Sequence, residues 1–294
     1  MMRRVLFFFE NDWAFGQIYN ALIRRLYGHG IHAAILDWGA SRPAHEFDNI
    51  QRRFDSIVTV PSVLNSLLSY GVPASKLVAV AHSEIDIVLG AERCGVGIYE
   101  QLQGYSVIHR DLVEVSAKQG ISRVPLVTPN GIDFDYFHAP ISSGLRCLGY
   151  AGAPAFHMSD RSDCKRSHLL KPICDAVGLP LKWPERMHYL AMAGHYESVD
   201  ALLVTSSYEG CGLPAMEAAA AGRLVVAART GSFDGSSGLL CRTPEDEFVA
   251  DAIAHLDRCK DPVAYREQCE RGQQHARDNY DWEHVIERYV ELLS

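Results

Sequence analysis

No Cys-x-x-Cys pair occurs among the eight cysteines, which stand at positions 94, 147, 164, 174, 211, 241, 259 and 269. In a chain of 294 residues this scatter reads as reduced thiols of a cytosolic protein and excludes a disulfide framework. No apolar run approaches the roughly 20 residues that span a bilayer. The run Val5–Phe9 is too short for the apolar part of a signal peptide and is ended by Glu10. A cytoplasmic protein is therefore expected, with peripheral contact at the inner face of a membrane left open. A basic excess is missing too. Residues 1–139 hold 12 basic and 14 acidic side chains (12 − 14 = −2), and the remainder 16 and 22 (16 − 22 = −6), which together give the net charge of −8. That balance speaks against a nucleic-acid partner. None of the 13 histidines stands in a zinc-binding spacing, and nothing in the sequence calls for a metal or cofactor. No G-x-S-x-G elbow suggests a serine hydrolase. No G-x-G-x-x-G follows the first apolar run, which argues against a dinucleotide oxidoreductase. Internal repeats and low-complexity tracts are absent as well.

What is present is a regular alternation of short apolar runs and helical stretches, the pattern of βα units. With 294 residues, 48% of them hydrophobic, the chain suits two α/β domains better than one. In the first half, strands are expected at Arg4–Phe9, His32–Asp37, Ser56–Val60, Leu77–Ala81 and Pro125–Thr128. Helices are expected at Gly16–Tyr27, Ser62–Tyr70 and Arg110–Gln119. The second half should open with a strand at Arg146–Tyr150 and a helix from about Ser167 to Val177. Strands follow at Leu181–Lys182, Asp200–Thr205, Leu224–Ala228 and Gly238–Cys241, and helices fill Glu245 to Leu293. Pro129, Asn130-Gly131 and Pro140 mark Thr128–Ser143 as the boundary.

The most informative stretch is residues 205–222, T-S-S-Y-E-G-C-G-L-P-A-M-E-A-A-A-A-G. It lies between two apolar runs, so it reads as strand, glycine loop, helix, strand. Glu209 and Glu217 stand eight residues apart, with Gly210, Cys211 and Gly212 between them. Glycine lets the backbone approach a ligand closely. Leu213-Pro214 opens the helix, where a proline's missing N–H costs nothing. Such a helix start aims N–H groups and a positive dipole end at the loop, which suits a phosphate. Glu209 is expected in the loop and Glu217 in the first helical turn, where two carboxylates accept hydrogen bonds from a polyhydroxylated ligand. Cys211 reads as a small filler of the loop.

This stretch resembles the glutamate-x7-glutamate signature of retaining glycosyltransferases of the GT-B fold, in particular the family 4-like group 1 enzymes. Pro129-Asn130-Gly131-Ile132-Asp133, followed by Phe137, is similar to the family's passage from first to second domain. The resemblance implies two Rossmann-like α/β domains facing across a cleft, with a C-terminal helix crossing back to the first. The expected limits are 1–139 for a short acceptor-side domain, 140–278 for the nucleotide-sugar domain and 279–294 for the returning helix.

The resemblance also implies roles. Glu217 would bind the ribose of a nucleoside diphosphate sugar, and Glu209 the transferred sugar. The loop residues Gly210 to Pro214 would line the donor. Arg161 and Lys165 would face the diphosphate, with Arg166 the alternative for the second cation. His82, at the end of an apolar strand, is either a partner of a sugar hydroxyl or a structural histidine. In the first loop the family's glycine pair is missing. Only Gly16 stands there, with Asp12 and Trp13, which would either touch the acceptor or cap and open a helix. The implied reaction moves a sugar, with retention, from a UDP- or GDP-sugar, UDP being favoured. The acceptor hydroxyl belongs to a glycan, a lipid-linked sugar or a protein. The alternatives are a glycosyltransferase-like protein that only binds nucleotide sugar or a partner, and a nucleotide-sugar epimerase.

Overall fold

The computed structural model describes residues 2–10, 13–38, 44–152, 163–184, 187–231 and 238–294. The chain divides into two compact units, one of Met1–Gly131 with Trp282–Ser294 and one of Ile132–Asp281.

The first unit is built on six parallel strands, β1 (Arg3–Phe9), β2 (Ile31–Asp37), β3 (Ser56–Thr59), β4 (Leu77–Ala81), β5 (Gly104–Val107) and β6 (Leu126–Val127), in the order β2-β1-β3-β4-β5-β6. Every residue of β3, β4 and β5 is buried, as is Val5–Phe9 of β1. A parallel sheet covered by helices on both faces has no solvated side, so its strands read as continuous apolar runs rather than alternations. The helix Trp13–Leu26 starts three residues before the expected Gly16. Helices Ala44–Arg53 and Glu84–Cys94 and strand β5 also go beyond the sequence reading. The terminal helix Trp282–Leu293 packs within this unit on Trp13–Leu26 and β5. Its buried Val285, Ile286, Tyr289, Leu292 and Leu293 recur at helical spacing.

The second unit carries five parallel strands, β7 (Leu148–Gly149), β8 (Leu181–Lys182), β9 (Ala201–Val204), β10 (Leu224–Ala228) and β11 (Leu239–Cys241), ordered β11-β10-β9-β7-β8. The expected strand Arg146–Tyr150 is reduced to its middle two residues. Successive residues of a strand point to opposite faces. Leu203 and Val226 accordingly join one core with Ile173, Phe248 and Leu256. Leu202 and Val225 join the other with Phe137, Tyr196 and Met216.

Counted within its own unit, each sheet begins with the same winding. The second strand lies outside the first, and the third, fourth and fifth follow on the other side. The order reverses between β1 and β3, and again between β7 and β9. Open α/β sheets bind ligands at the carboxyl ends of the strands flanking such a reversal. Among the described residues, no helix is long and apolar enough to cross a membrane.

Candidate donor site

The loops leaving β7 and β9 meet at the reversal of the second sheet. The backbone N–H of Ser207 donates to the Cys164 carbonyl at 2.8 Å, and the Thr205 hydroxyl to the Lys165 carbonyl at 2.6 Å. These bonds pin residues 164–165 beside the start of the motif loop. Gly212 then turns the chain into the helix Leu213–Ala220 with φ 77° and ψ 40°, a left-handed conformation. Glycine adopts it without a Cβ penalty. Pro214 sits at the helix entrance as expected, and no side chain caps the helix start.

Glu209 lies in the loop and meets two donors on one oxygen. Lys165 Nζ is 2.5 Å and Ser206 Oγ 2.6 Å from Oε1. Both charged side chains are only partly covered, 23% exposed for Lys165 and 16% for Glu209. Gly231, after β10, lies against this loop from the other side. A Cβ there would stand 3.1 Å from Glu209 Cβ and 3.2 Å from the Gly210 carbonyl. Cys211 is half-buried, its sulfur 3.9 Å from Met216 Sδ.

Glu217 is the fifth residue of its helix and so lies in the second turn, not the first as expected. Small side chains explain how it comes to be buried. Ala215 and Ala218 to Ala221 are all covered, and the helix packs closely on Pro262–Tyr280. Glu217 itself is 4% exposed. Tyr196, from the helix Met192–Glu197, donates its hydroxyl to Oε2 at 2.7 Å. Burial raises the Glu217 pKa to about 7, against the lowering effect of the Tyr196 hydrogen bond. Among the described residues, no hydrogen-bond donor meets Oε1.

Arg166, the alternative second cation, is used otherwise. Its backbone is left-handed at φ 48° and ψ 43°, a strained conformation for a residue with a side chain. Its guanidinium donates to the Thr205 carbonyl at 2.6 Å and to the Thr243 carbonyl, over the ring of Phe248. It is 4% exposed and ties three segments together from inside. Lys165 is therefore the neighbour whose charge stands at the loop. Arg161 and Asp12 lie outside the described residues.

In the first unit, Trp13 opens its helix, and Gly16 is that helix's fourth residue rather than a loop glycine. The Gly16 carbonyl accepts the Asn20 amide at 2.7 Å. Trp13-Ala14-Phe15 hold no glycine or proline that would keep the helix from starting before Gly16. His82 directly follows β4 and is buried among rings, with centroids 4.8 Å from Phe15 and 6.2 Å from Phe9. Its Nε2 is 2.6 Å from the Tyr19 hydroxyl. Burial lowers its pKa to about 3, so the imidazole is neutral. An Asp-x-Asp spacing stands at Asp133 and Asp135, around the start of the helix Phe134–Phe137. No cluster of three or more metal-ligating side chains forms among the described residues.

Two polar residues at the site escaped the sequence reading. Ser206 stands three before Glu209, a spacing short enough to have been noticed. Tyr196 is 21 residues from its partner Glu217, and only folding brings the two together.

Residues 176–258 match the family "Glycosyl transferases group 1", a segment that includes Tyr196, Ser206, Glu209 and Glu217. Over 102 residues the chain is 35% identical to a D-inositol 3-phosphate glycosyltransferase of Corynebacterium urealyticum, an alignment spanning 33% of this chain and 23% of that protein. In structure the chain is similar to a sucrose-phosphate synthase from Thermosynechococcus elongatus, with a TM-score of 0.72 at 13% identity, over 99% of this chain and 98% of that one. It is also similar to the Anabaena protein Alr3699/HepE, solved with UDP and glucose, with a TM-score of 0.69 at 14% identity over 99% of both chains. Residues 176–258 are thus related to the group 1 glycosyltransferases, and the chain as a whole has the GT-B fold.

Proposed function

We propose that the chain is a retaining glycosyltransferase that moves a sugar from a nucleoside diphosphate donor to an acceptor hydroxyl. The observation that carries this reading is the meeting of Glu209, Lys165 and the glycine-turned helix entrance at the reversal of the second sheet, with Glu217 inside the same helix. Glu217 binds the ribose hydroxyls through its unengaged oxygen. Glu209 orients the transferred sugar. Lys165, with the helix entrance at Leu213-Pro214, stabilises the charge that grows on the leaving diphosphate. Electrostatic stabilisation of this kind is typically worth a few kcal/mol, roughly 3–4, per donor. Arg161 is assigned the same task. The Lys165–Glu209 pair is then the resting arrangement, opened when phosphate oxygens take over the lysine and sugar hydroxyls the carboxylate.

In the reaction the bond from the anomeric carbon to the phosphate oxygen breaks, and the acceptor oxygen bonds to that carbon on the same face. The acceptor's proton passes to the leaving phosphate oxygen. No protein nucleophile enters this sequence. UDP is the nucleotide we place first, because the Anabaena protein of like fold is solved with UDP and glucose. GDP is the other nucleotide to test.

The test is nucleoside diphosphate release from a panel of UDP- and GDP-sugars, with Glu217→Ala and Glu209→Ala beside the wild type. Release from one donor that is lost in both variants is the expected result. Silence across the panel together with no donor binding by calorimetry would replace this reading with a non-enzymatic one.

A further inference from the structure

We propose that Tyr196 is a positioning residue for the donor, holding one oxygen of Glu217 so that the other is presented to the nucleotide's ribose. This inference rests on the donor-site reading given above.

Four observations support it. Tyr196 is fully buried, and its hydroxyl donates to Glu217 Oε2 at 2.7 Å. The ring is fixed on one face by Phe137, at 5.9 Å between centroids, and by the surrounding apolar core. A tyrosine held in this way offers its hydroxyl from one direction only. The carboxyl of Glu217 is covered as a side chain, yet Oε1 has no donor among the described residues. With Oε2 fixed by the tyrosine, the second oxygen keeps its full capacity to accept hydrogen bonds. A ligand with hydroxyl donors can use that capacity.

The tyrosine also governs the form of the carboxyl. Ribose hydroxyls donate to an ionised carboxylate more strongly than to a protonated one. Burial works against ionisation here, and the Tyr196 hydrogen bond works for it. Three titratable or charged groups on neighbouring segments have partners of their own. His195, on the tyrosine's own helix, faces the Tyr150 carbonyl at 3.1 Å. Arg277, on the helix Pro262–Tyr280, lies over the Phe134 ring. Arg223, following the motif helix, donates to the Pro140 carbonyl at 2.7 Å. Removing the hydroxyl should thus loosen the carboxyl and hold it protonated to a higher pH.

The experiment is calorimetric titration of the intact protein with UDP and with GDP from pH 6 to 9, on wild type, Tyr196→Phe and Glu217→Ala. Thermal melting checks that each variant folds. In the wild type, affinity for the nucleotide that binds should fall as pH drops through about 7. Tyr196→Phe should bind on the order of tenfold more weakly at pH 6.5, as loss of a hydrogen bond to a charged group implies. The deficit should shrink towards pH 9, and the midpoint of the profile should lie at higher pH. Glu217→Ala should bind weakly at every pH with no midpoint in this range. A Tyr196→Phe profile that coincides with the wild type, while Glu217→Ala loses binding, overturns the positioning role and leaves the donor site standing. A Tyr196→Phe profile lowered equally at all pH values also overturns it, because that is the mark of a purely structural tyrosine. Wild-type binding by Glu217→Ala, or no binding of either nucleotide by the wild type, overturns the donor site itself.

Discussion

Around the reversal of the first sheet, the neighbouring strand ends and the following helix carry rings: Phe9, Phe15, Tyr19 and His82 pack edge to face or stacked. Around the reversal of the second sheet they carry a lysine, two glutamates and two hydroxyls that meet them. The winding is the same and the chemistry opposite. A shared topology therefore supplies a place for a ligand, while the side chains at the strand ends decide what that place does. In the first unit His82 is kept neutral by burial. In the second, burial of Glu217 is opposed by a donated hydrogen bond.

The contrast is broken most severely by removing the lysine. Lys165→Ala should lower turnover on the order of 100- to 1,000-fold, the loss expected for one electrostatic donor to a leaving group. Single-turnover kinetics with the donor found in the panel would measure it. A loss below about threefold would mean that Lys165 only anchors the loop.

A second prediction sets the units against each other in acid. The His82 pKa falls from 6.5 unfolded to about 3 folded. Its contribution to stability is present above 6.5 and is lost progressively as pH falls toward about 3, because only the unfolded state takes the proton. The Glu217 pKa rises from 4.5 unfolded to about 7 folded. Its contribution is complete below 4.5 and is lost as pH rises through about 7. Each group adds a slope of up to about 1.4 kcal/mol per pH unit, of opposite sign. Hydrogen exchange, corrected for intrinsic rate and read on Leu77–Ala81 and on Leu213–Ala220, should show the first unit weakening and the second strengthening between pH 6.5 and 4.5. His82→Gln and Glu217→Gln should each abolish their own slope. Parallel slopes in both units, unaltered by these variants, would refute the assignment to these two groups.

Gly231→Ala should have a smaller effect. The residue has φ 62°, and its added Cβ would press on Glu209 and Gly210. A destabilisation of roughly 1–2 kcal/mol is expected from the conformation alone. Urea denaturation measures it, and turnover should fall as the Glu209 loop shifts. The smallest effect is predicted for Ser206→Ala. Lys165 still holds the same carboxylate oxygen, so turnover should drop about fivefold, the worth of one ordinary hydrogen bond.

The second unit's site was more legible than the first unit's strand ends for a physical reason. Glu209, Gly212, Pro214 and Glu217 lie within one loop and helix, so local backbone rules place them. Helix periodicity alone, however, did not show that Leu213 would be the first helical residue and Glu217 the fifth. Lys165 and Arg166 are adjacent and alike in charge. What separates them is a left-handed backbone at Arg166 and two distant carbonyls that receive its guanidinium, neither of which is written locally. Tyr196 lies in a helix of six residues, too short to show a periodicity of its own. Strand β5, Gly-Tyr-Ser-Val, escaped notice because glycine and serine interrupt its apolar character, although the sheet buries all four residues. The helix Glu84–Cys94 had a readable start in Ser83, whose hydroxyl accepts the Asp86 N–H. Its apolar face was obscured by the acidic residues of its first turn.

The first unit is discontinuous in sequence, and the second is not. During synthesis, residues 132–281 are complete and free to close while the helix Trp282–Leu293 is still to come. The surface of the first unit that takes Trp282, Tyr289 and Leu292 stays uncovered until then. Where Ile132 leaves the first unit and Asp281 approaches it again, the two stretches pair side by side, the Ile132 N–H donating to the Tyr280 carbonyl at 2.8 Å. The second unit thus brings the two ends of the interruption together. A chain ending before Trp282 would hold every residue of the second unit and lack a helix of the first.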